Sequence, residues 1–177
     1  MTDSIQVTRK HELSVDDLRS VAMAALERGG TVCVPADGVS MGAKLSRAEG
    51  LYVRSLSLGR IRCGSILVFR NGAGNWIAHR VIWLFRSHPT WFCVTKGDGY
   101  FSADLPFVRA DQVIGEVAAI RYPDKVVPLD GFWGRAAQRV KGLSCLAVAA
   151  LSEVIQSVGR RRWRLGGILN EAPEESG

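Results

Sequence analysis

Short apolar runs separated by turn residues fill the middle of the sequence and restrict the fold more than any other feature. Each run is rich in Val, Ile, Phe or Trp and is bounded by Gly, Asn, Asp or Pro, which is typical of β-strands. The runs are TVCVP, GLYVRSL, GSILVFR, NWIAHRVIWLFR, WFCVTK, VIGEVAAIRY and KVVPL. An Asn-Gly turn in FRNGAGNW and a proline turn in RSHPTW favour antiparallel pairing of consecutive strands. The sequence therefore predicts a mainly β fold of the α+β class.

Helical patterns flank this β region on both sides. Ser14 is a suitable N-cap, acidic residues follow in the first turn, and Gly29-Gly30 ends the pattern. After Asp130, apolar residues recur at spacings of three and four, which indicates an amphipathic helix. We therefore divide the chain into an N-terminal arm and helix (1–30), a β domain (31–130), a basic helical tail (131–165) and an acidic, disordered end (166–177).

The net charge of +6 belongs to the helical tail. Of the 23 Lys and Arg residues, seven lie between Gly131 and Leu165, where Glu153 is the only acid. A basic amphipathic helix that carries tryptophans, here Trp133 and Trp163, can lie in the interface of an anionic membrane. The alternative is a helix packed on the β domain with solvated ends. A single arginine cluster without aromatic residues for base stacking weighs against nucleic acid as a partner.

The remaining composition favours a cytoplasmic protein without cofactors. The N-terminal stretch MTDSIQVTRKHELSVDD has no apolar segment of the kind found in signal peptides, and no apolar stretch reaches the roughly 18 residues of a spanning helix. Peripheral contact of the tail with the inner face of the membrane stays open. The cysteines lack any C-x2-C pair, so we interpret them as reduced core residues and expect no metal site. They are Cys33, Cys63, Cys93 and Cys145.

Three histidines are available as general bases, and one of them lies in a predicted strand. His11 belongs to the polar N-terminal arm and His88 to a turn, where each is simply a solvated side chain. His79 lies within NWIAHRVIWLF, where a buried imidazole needs polar partners. Taken alone, His79 is better explained as a core histidine with satisfied hydrogen bonds than as a catalyst.

Ser40 lies in the glycine-rich turn ADGVSMGAKL, directly after the first apolar run. A nucleophilic hydroxyl needs a base within hydrogen-bond reach, and a histidine base works best when a carboxylate fixes its tautomer. The loop TKGDGYFSAD supplies Asp98 and Asp104, and a hairpin would bring this loop back toward His79 and Ser40. The pattern is compatible with a Ser-His-Asp site, and a plain turn serine is the alternative.

Five segments, GVSMGAKL, GSILVF, IAHRVI, TKGDGYFSAD and VIGEV, together resemble the type I signal peptidase family in order and approximate spacing. The resemblance spans roughly Thr31 to Tyr122 and points to the branch that pairs serine with histidine. It implies a signal peptidase/LexA-like antiparallel β fold, with Ser40 as nucleophile and His79 as general base. It also implies that Asp104 orients the histidine and that Asp98 supports the site.

The activity that this resemblance implies is that of a serine endopeptidase. Such an enzyme would cleave a leader or signal-type segment from a peptide or protein precursor through an acyl-enzyme on Ser40. The partner is then the precursor itself. Lys96, which belongs to the Lys-Gly-Asp segment, is interpreted as structural.

The sequence departs from the family pattern at three places. Gly42-Ala43-Lys44 follows Met41 where the family has a proline, and Gly64-Ser65 replaces a Gly-Asp pair. We expect a helix where the family has its N-terminal membrane anchor. These departures motivate an alternative function, a non-catalytic subunit that binds peptides or assembles at a membrane through the same fold.

Overall fold

The computed structural model describes residues 14–36, 38–56 and 58–168, and a single antiparallel β-sheet forms its centre. The order of strands across this sheet is β1-β2-β7-β3-β4-β5-β6, with β8 paired to β7. The strands are β1 (Thr31–Pro35), β2 (Gly50–Arg54), β3 (Ile66–Arg70), β4 (Trp76–Ser87), β5 (Thr90–Lys96), β6 (Val108–Arg109), β7 (Val113–Arg121) and β8 (Val126–Pro128). Every pairing is antiparallel, which confirms the predicted mainly β fold of the α+β class.

Each of the seven predicted apolar runs contains a strand, and the turn chemistry explains their pairing. Asn71 closes the β3–β4 turn because its Oδ1 accepts hydrogen bonds from the backbone N–H groups of Ala73 and Asn75, at 3.0 and 2.8 Å. The proline turn joins β4 to β5 as predicted, with Ser87 paired to Thr90. The strand that the pattern missed is β6, whose two residues are too few to show a periodicity.

The helices are α1 (Val15–Glu27), the short α2 (Gly42–Leu45) and α3 (Phe132–Ile168). At the start of α1, Ser14 Oγ accepts from the N–H of Asp17 at 3.1 Å, and the Asp17 carboxylate accepts from the N–H of Ser14. This reciprocal capping fixes the predicted start of the helix. α3 runs three residues past the predicted boundary at residue 165. His11 and residues 169–177 lie outside the described residues.

Apolar side chains cover both faces of the sheet. On one face, α1 and α2 close a core that contains Leu26, Met41 and Leu45 together with residues of β2, β3 and β7. On the other, residues of β3, β4 and β5 form a second cluster around Val81, which is fully buried. Because β3 is buried on both of its faces, it reads as a continuous apolar run rather than an alternating one.

α3 packs on β4 along one side and exposes apolar residues on the opposite side. Cys145 and Ala149 are buried against Ile82 of β4. Leu143 and Leu151, by contrast, are 61% and 60% exposed. The described part of α3 therefore docks on the β domain and still presents an uncovered apolar stripe. Of the helices in the described ranges, none has the length and apolar character needed to cross a bilayer.

The four cysteines are free thiols, but they are not all core residues. Cys93 and Cys145 are buried as predicted, and Cys63 is half-buried. The prediction is wrong for Cys33, which is exposed, because β1 alternates and turns Val32 and Val34 inward instead. No group of three or more His, Cys, Asp or Glu side chains in the described ranges is placed to hold a metal ion.

Candidate active site

A buried histidine and a carboxylate form the centre of the site. His79 lies in β4, opposite Leu67 of β3, and is only 6% exposed. Its Nδ1 lies 2.6 Å from Oδ2 of Asp104, in the loop after β5. Since an ionised carboxylate only accepts hydrogen bonds, Nδ1 is the donor. The neutral imidazole therefore keeps its lone pair on Nε2.

Asp104 is itself held in place by the end of β5. Its backbone N–H donates to the carbonyl of Thr95 at 2.8 Å, and its Oδ2 accepts from Thr95 Oγ1 at 2.7 Å. Burial by itself would raise the pKa of Asp104, but hydrogen bonds from His79 and Thr95 and the nearby charge of Lys96 bring it below its ordinary value. The carboxylate is therefore ionised at neutral pH.

Ser40 lies in the turn between β1 and α2 and lines the same cleft as His79. The Ser40 carbonyl accepts from the N–H of Gly99 at 2.9 Å, which ties this turn to the loop that carries Asp104. His79 Nε2 is buried and has no hydrogen-bond partner in the part of the chain that the structure describes. The Ser40 hydroxyl and Nε2 thus line the same cleft, and no hydrogen bond joins them in the described structure.

Gly97 allows the Asp104 loop to pass close to both groups. A Cβ at this position would lie 3.1 Å from His79 Nε2 and would collide with the Ser40 carbonyl. Any larger residue would push the loop away from the cleft. The glycine of the Lys-Gly-Asp segment is therefore required by close approach.

The cleft is small and mostly apolar. It has a volume of about 280 Å³. Besides Ser40 and His79, it is lined by Ala36, Gly38, Met41, Leu45, Leu51, Trp76, Ile77, Ala78 and Tyr100. Such a lining suits a small apolar group of a bound molecule.

Asp98 lies apart from His79, on the other side of its loop. Its carboxylate accepts two hydrogen bonds from Arg80, from Nε at 2.8 Å and from Nη2 at 2.7 Å, and both side chains are under a tenth exposed. Arg80 Nη1 also donates to the carbonyl of Gly64 at 2.8 Å and to Gln138 Oε1. Burial alone would raise the pKa of Asp98, but the Arg80 hydrogen bonds and charge lower it.

Arg80 is the important residue that the sequence analysis did not single out. Because it follows His79 in a strand, its side chain points to the opposite face of the sheet. A buried arginine needs an acid, and the Lys-Gly-Asp segment supplies one. Lys96 is 1% exposed, and its Nζ donates to the Gly97 carbonyl at 3.1 Å.

Local contacts stabilise the chain at the two positions where its sequence departs from the type I signal peptidase pattern. Gly42 adopts a φ of +73°, and its N–H donates to the Val39 carbonyl at 2.9 Å, which closes the turn without a proline. Ser65 Oγ donates to Glu116 Oε1 at 2.8 Å, so this position keeps a hydrogen bond to β7.

Comparison with models of known protein families finds no match to this chain, and a search of curated proteins finds none either. The geometry of His79, Asp104 and the Ser40 cleft is thus the basis for assigning a function.

Proposed function

We propose that the protein is a serine endopeptidase that removes a leader or signal-type segment from a peptide or protein precursor. The observation that carries this proposal is His79 Nε2, which is buried in the cleft that holds Ser40 and has no hydrogen-bond partner among the described residues. A buried polar atom without a partner costs free energy, so its presence calls for an explanation beyond packing. With Nδ1 bound to Asp104, Nε2 is the acceptor that a nucleophilic hydroxyl requires.

In the proposed reaction, Ser40 Oγ attacks the carbonyl carbon of the scissile bond while its proton passes to His79 Nε2. Asp104 stabilises the imidazolium, and the backbone N–H of Ser40 is a natural donor to the oxyanion. The imidazolium then protonates the leaving amine as the C–N bond breaks and the acyl-enzyme forms. A water molecule, deprotonated by His79, hydrolyses the ester and restores Ser40.

Two further features support a peptidase of the signal peptidase type. The first is the resemblance of the Ser-Met, His-Arg-Val and Lys-Gly-Asp segments to the serine–histidine branch of that family. The second is the small, apolar cleft, which suits an apolar side chain of a substrate. The resemblance implies that the residue before the scissile bond is small.

A fluorophosphonate probe tests this proposal without knowledge of the substrate. We expect the wild-type protein to be labelled covalently, with mass spectrometry placing the adduct on Ser40. His79→Gln should slow labelling by about a hundredfold or more, since the general base is lost. His88 is exposed and supplies the matched control, so His88→Gln should react at the wild-type rate. Labelling at other serines, or an unchanged rate in His79→Gln, would contradict the mechanism.

The second candidate is a non-catalytic subunit that binds peptides in the same cleft. The observation that favours it is that His79 Nε2 forms no hydrogen bond with Ser40 in the described part of the chain. Geometry of this kind is common in enzymes without substrate, where such bonds tighten only in the complex. A wild-type protein that binds peptides but never reacts with the probe would support this candidate.

We also propose that α3 contacts the inner face of an anionic membrane through its exposed apolar stripe. Val140, Leu143 and Leu151 project from the side of the helix that faces away from the β domain, and Arg139 and Lys141 flank them. Basic residues beside an apolar stripe favour anionic lipid over a second copy of the same basic helix. The side chains of Trp133 and Trp163 lie outside the described part of the molecule.

Vesicle binding tests the membrane contact. We expect the protein to sediment with vesicles that contain phosphatidylglycerol and not with vesicles of phosphatidylcholine alone. Leu143→Glu should weaken this binding about tenfold or more, because one buried leucine contributes on the order of 1.5–3 kcal/mol. Val126 is similarly exposed but lies on β8, so Val126→Glu should bind as the wild type does. Equal losses in both variants would rule out a contact specific to α3.

A further inference from the structure

We infer that α3 is a positioning element of the site, whose docked segment holds the 97–104 loop in the geometry that presents Asp104 to His79. The consequence for catalysis rests on the proposed function. The positioning itself does not, because it concerns only contacts within the chain.

The 97–104 loop has two sides with different partners. Toward the cleft, its Gly99 N–H donates to the Ser40 carbonyl and its Asp104 carboxylate binds His79. Away from the cleft, Asp98 points into the space between the sheet and α3, where it binds Arg80 and is almost fully buried. A shift of Asp98 would therefore move the backbone that carries Asp104.

Three side chains of α3 contact this far side. Gln138 Oε1 accepts from Arg80, and Cys145 Sγ donates to Asp98 Oδ1 at 3.4 Å. Ser152 Oγ lies 3.3 Å from the Phe101 carbonyl, which shares the single hydroxyl proton with the nearer Ala149 carbonyl at 2.8 Å. These contacts are spaced along four turns of the helix, so they hold the loop and its arginine at several points. Burial of Cys145 against Ile82 and Ala103 adds apolar packing.

A glycine pair allows α3 to come this close. Gly142 lies directly over Gly64, such that a Cβ on Gly142 would be 2.7 Å from the Gly64 nitrogen. Gly64 has a φ of +96° and presents its carbonyl to Arg80. Any side chain at residue 142 would lift the helix from the sheet and withdraw Gln138 and Cys145 from the Arg80–Asp98 pair.

Gly142→Val tests this inference, with Ala147→Val as its matched control. Ala147 lies on the exposed side of α3, so the same side chain is added away from the contact. The helix propensities oppose the expected effect: valine is as good as or better than glycine in a helix but poorer than alanine. A free helix would thus tolerate Gly142→Val better than Ala147→Val, whereas a docked one would not.

The readout is the proton on His79 Nδ1, observed by NMR in the full chain. In a 2.6 Å hydrogen bond to a carboxylate this proton should resonate far downfield, and His79→Gln assigns it by its loss. We expect Gly142→Val to lose this resonance or shift it upfield while the circular dichroism spectrum is retained. Fluorophosphonate labelling should slow about tenfold or more, as for a misplaced catalytic group. Ala147→Val should match the wild type in both.

A Gly142→Val protein with the wild-type resonance and labelling rate would overturn the inference, as would a wild type that lacks the resonance. If Gly142→Val fails to fold, Gln138→Met removes only the acceptor for Arg80 and should still shift the resonance.

The experiments distinguish failure of the peptidase proposal from failure of the positioning proposal. A resonance that depends on α3 in a protein that never reacts with the probe contradicts the peptidase but supports the positioning role. If Ser40 is labelled and the resonance is unchanged by Gly142→Val, only the positioning role of α3 is contradicted.

Discussion

On the proposed peptidase mechanism, replacing Ser40 by alanine is expected to reduce peptide hydrolysis by at least about a thousandfold, because the acyl-enzyme of that mechanism forms on the Ser40 hydroxyl. Ser40 is bound to the 97–104 loop through its backbone carbonyl, which the substitution keeps. The fold should therefore be unchanged. A proteome-derived peptide library, digested and read by mass spectrometry, measures hydrolysis and reveals the preferred residue before the cut.

Ser46 provides a matched control for this experiment. It lies six residues later, is exposed, and donates to the Ala43 carbonyl at 3.1 Å, away from His79. Ser46→Ala should digest the library as the wild type does. Cleavage that persists in Ser40→Ala would refute Ser40 as the nucleophile and, if no contaminating protease is present, the whole mechanism.

Replacing Arg80 by methionine should cost about 3–5 kcal/mol of the free energy of unfolding. This is the usual penalty for leaving one partner of a buried ion pair uncompensated, here the carboxylate of Asp98. Methionine keeps much of the side-chain volume, so loss of packing contributes little. Urea unfolding followed by circular dichroism at neutral pH measures the difference from the wild type.

Arg109 offers a control with nearly the same geometry in solvent. Its Nε and Nη2 bind the two oxygens of Asp111, at 3.1 and 2.8 Å, but both side chains are more than half exposed. Arg109→Met should therefore change the stability by only about 0–1 kcal/mol. If Arg80→Met and Arg109→Met lower the free energy of unfolding equally, burial of the Arg80–Asp98 pair does not increase its contribution to stability.

The pH dependence of the Arg80→Met effect has a definite sign. In the wild type the pKa of Asp98 is lowered, so its contribution to stability is present above the ordinary aspartate pKa of about 3.9 and is lost as the pH falls through the native value. In Arg80→Met, burial favours the protonated acid, so acid relieves the penalty. The difference in the free energy of unfolding between the two proteins should therefore begin to narrow while the pH is still above about 4, as Asp98 of Arg80→Met takes up its proton, and should narrow further as the pH falls through the lowered native pKa of the wild type. If the difference in the free energy of unfolding stays constant with pH, the charge of Asp98 is not the cause of the destabilisation in Arg80→Met.

The fold was predictable because local signals agree with tertiary packing. Ser14 caps α1, and the Asn-Gly turn joins β3 to β4. The site was predictable in part: the structure brings Ser40 and His79 to one cleft and places Asp104 on His79 Nδ1. The β4–β5 hairpin and the loop that returns after β5 were enough to predict the approach of Asp104 to His79, since the connections between these elements are short.

What the sequence did not reveal depends on contacts between distant segments. The periodicity after Asp130 indicated a helix but could not say which apolar residues would be buried. The apolar residues extend far enough around the helix to form one face on the sheet and a second face away from it. Cys145 packs on the sheet, whereas Leu143 faces outward. The exposed Cys33 likewise depends on packing, because β1 lies at the edge of the sheet and turns alternate residues outward.

The position of β7 has a consequence for the order of assembly. In the sheet, β7 is the strand that pairs with both β2 and β3, so it joins the Ser40 segment to the hairpins that carry His79 and Asp104. The hairpins are local in sequence, while the pairing of β2 with β7 joins residues more than sixty positions apart, so we expect this pairing to form after the hairpins. A nascent chain that ends before Val113 holds the three side chains but not the strand that sets them opposite one another. In the proposed peptidase, synthesis from the N-terminus would thus keep Ser40 apart from His79 until most of the chain has left the ribosome.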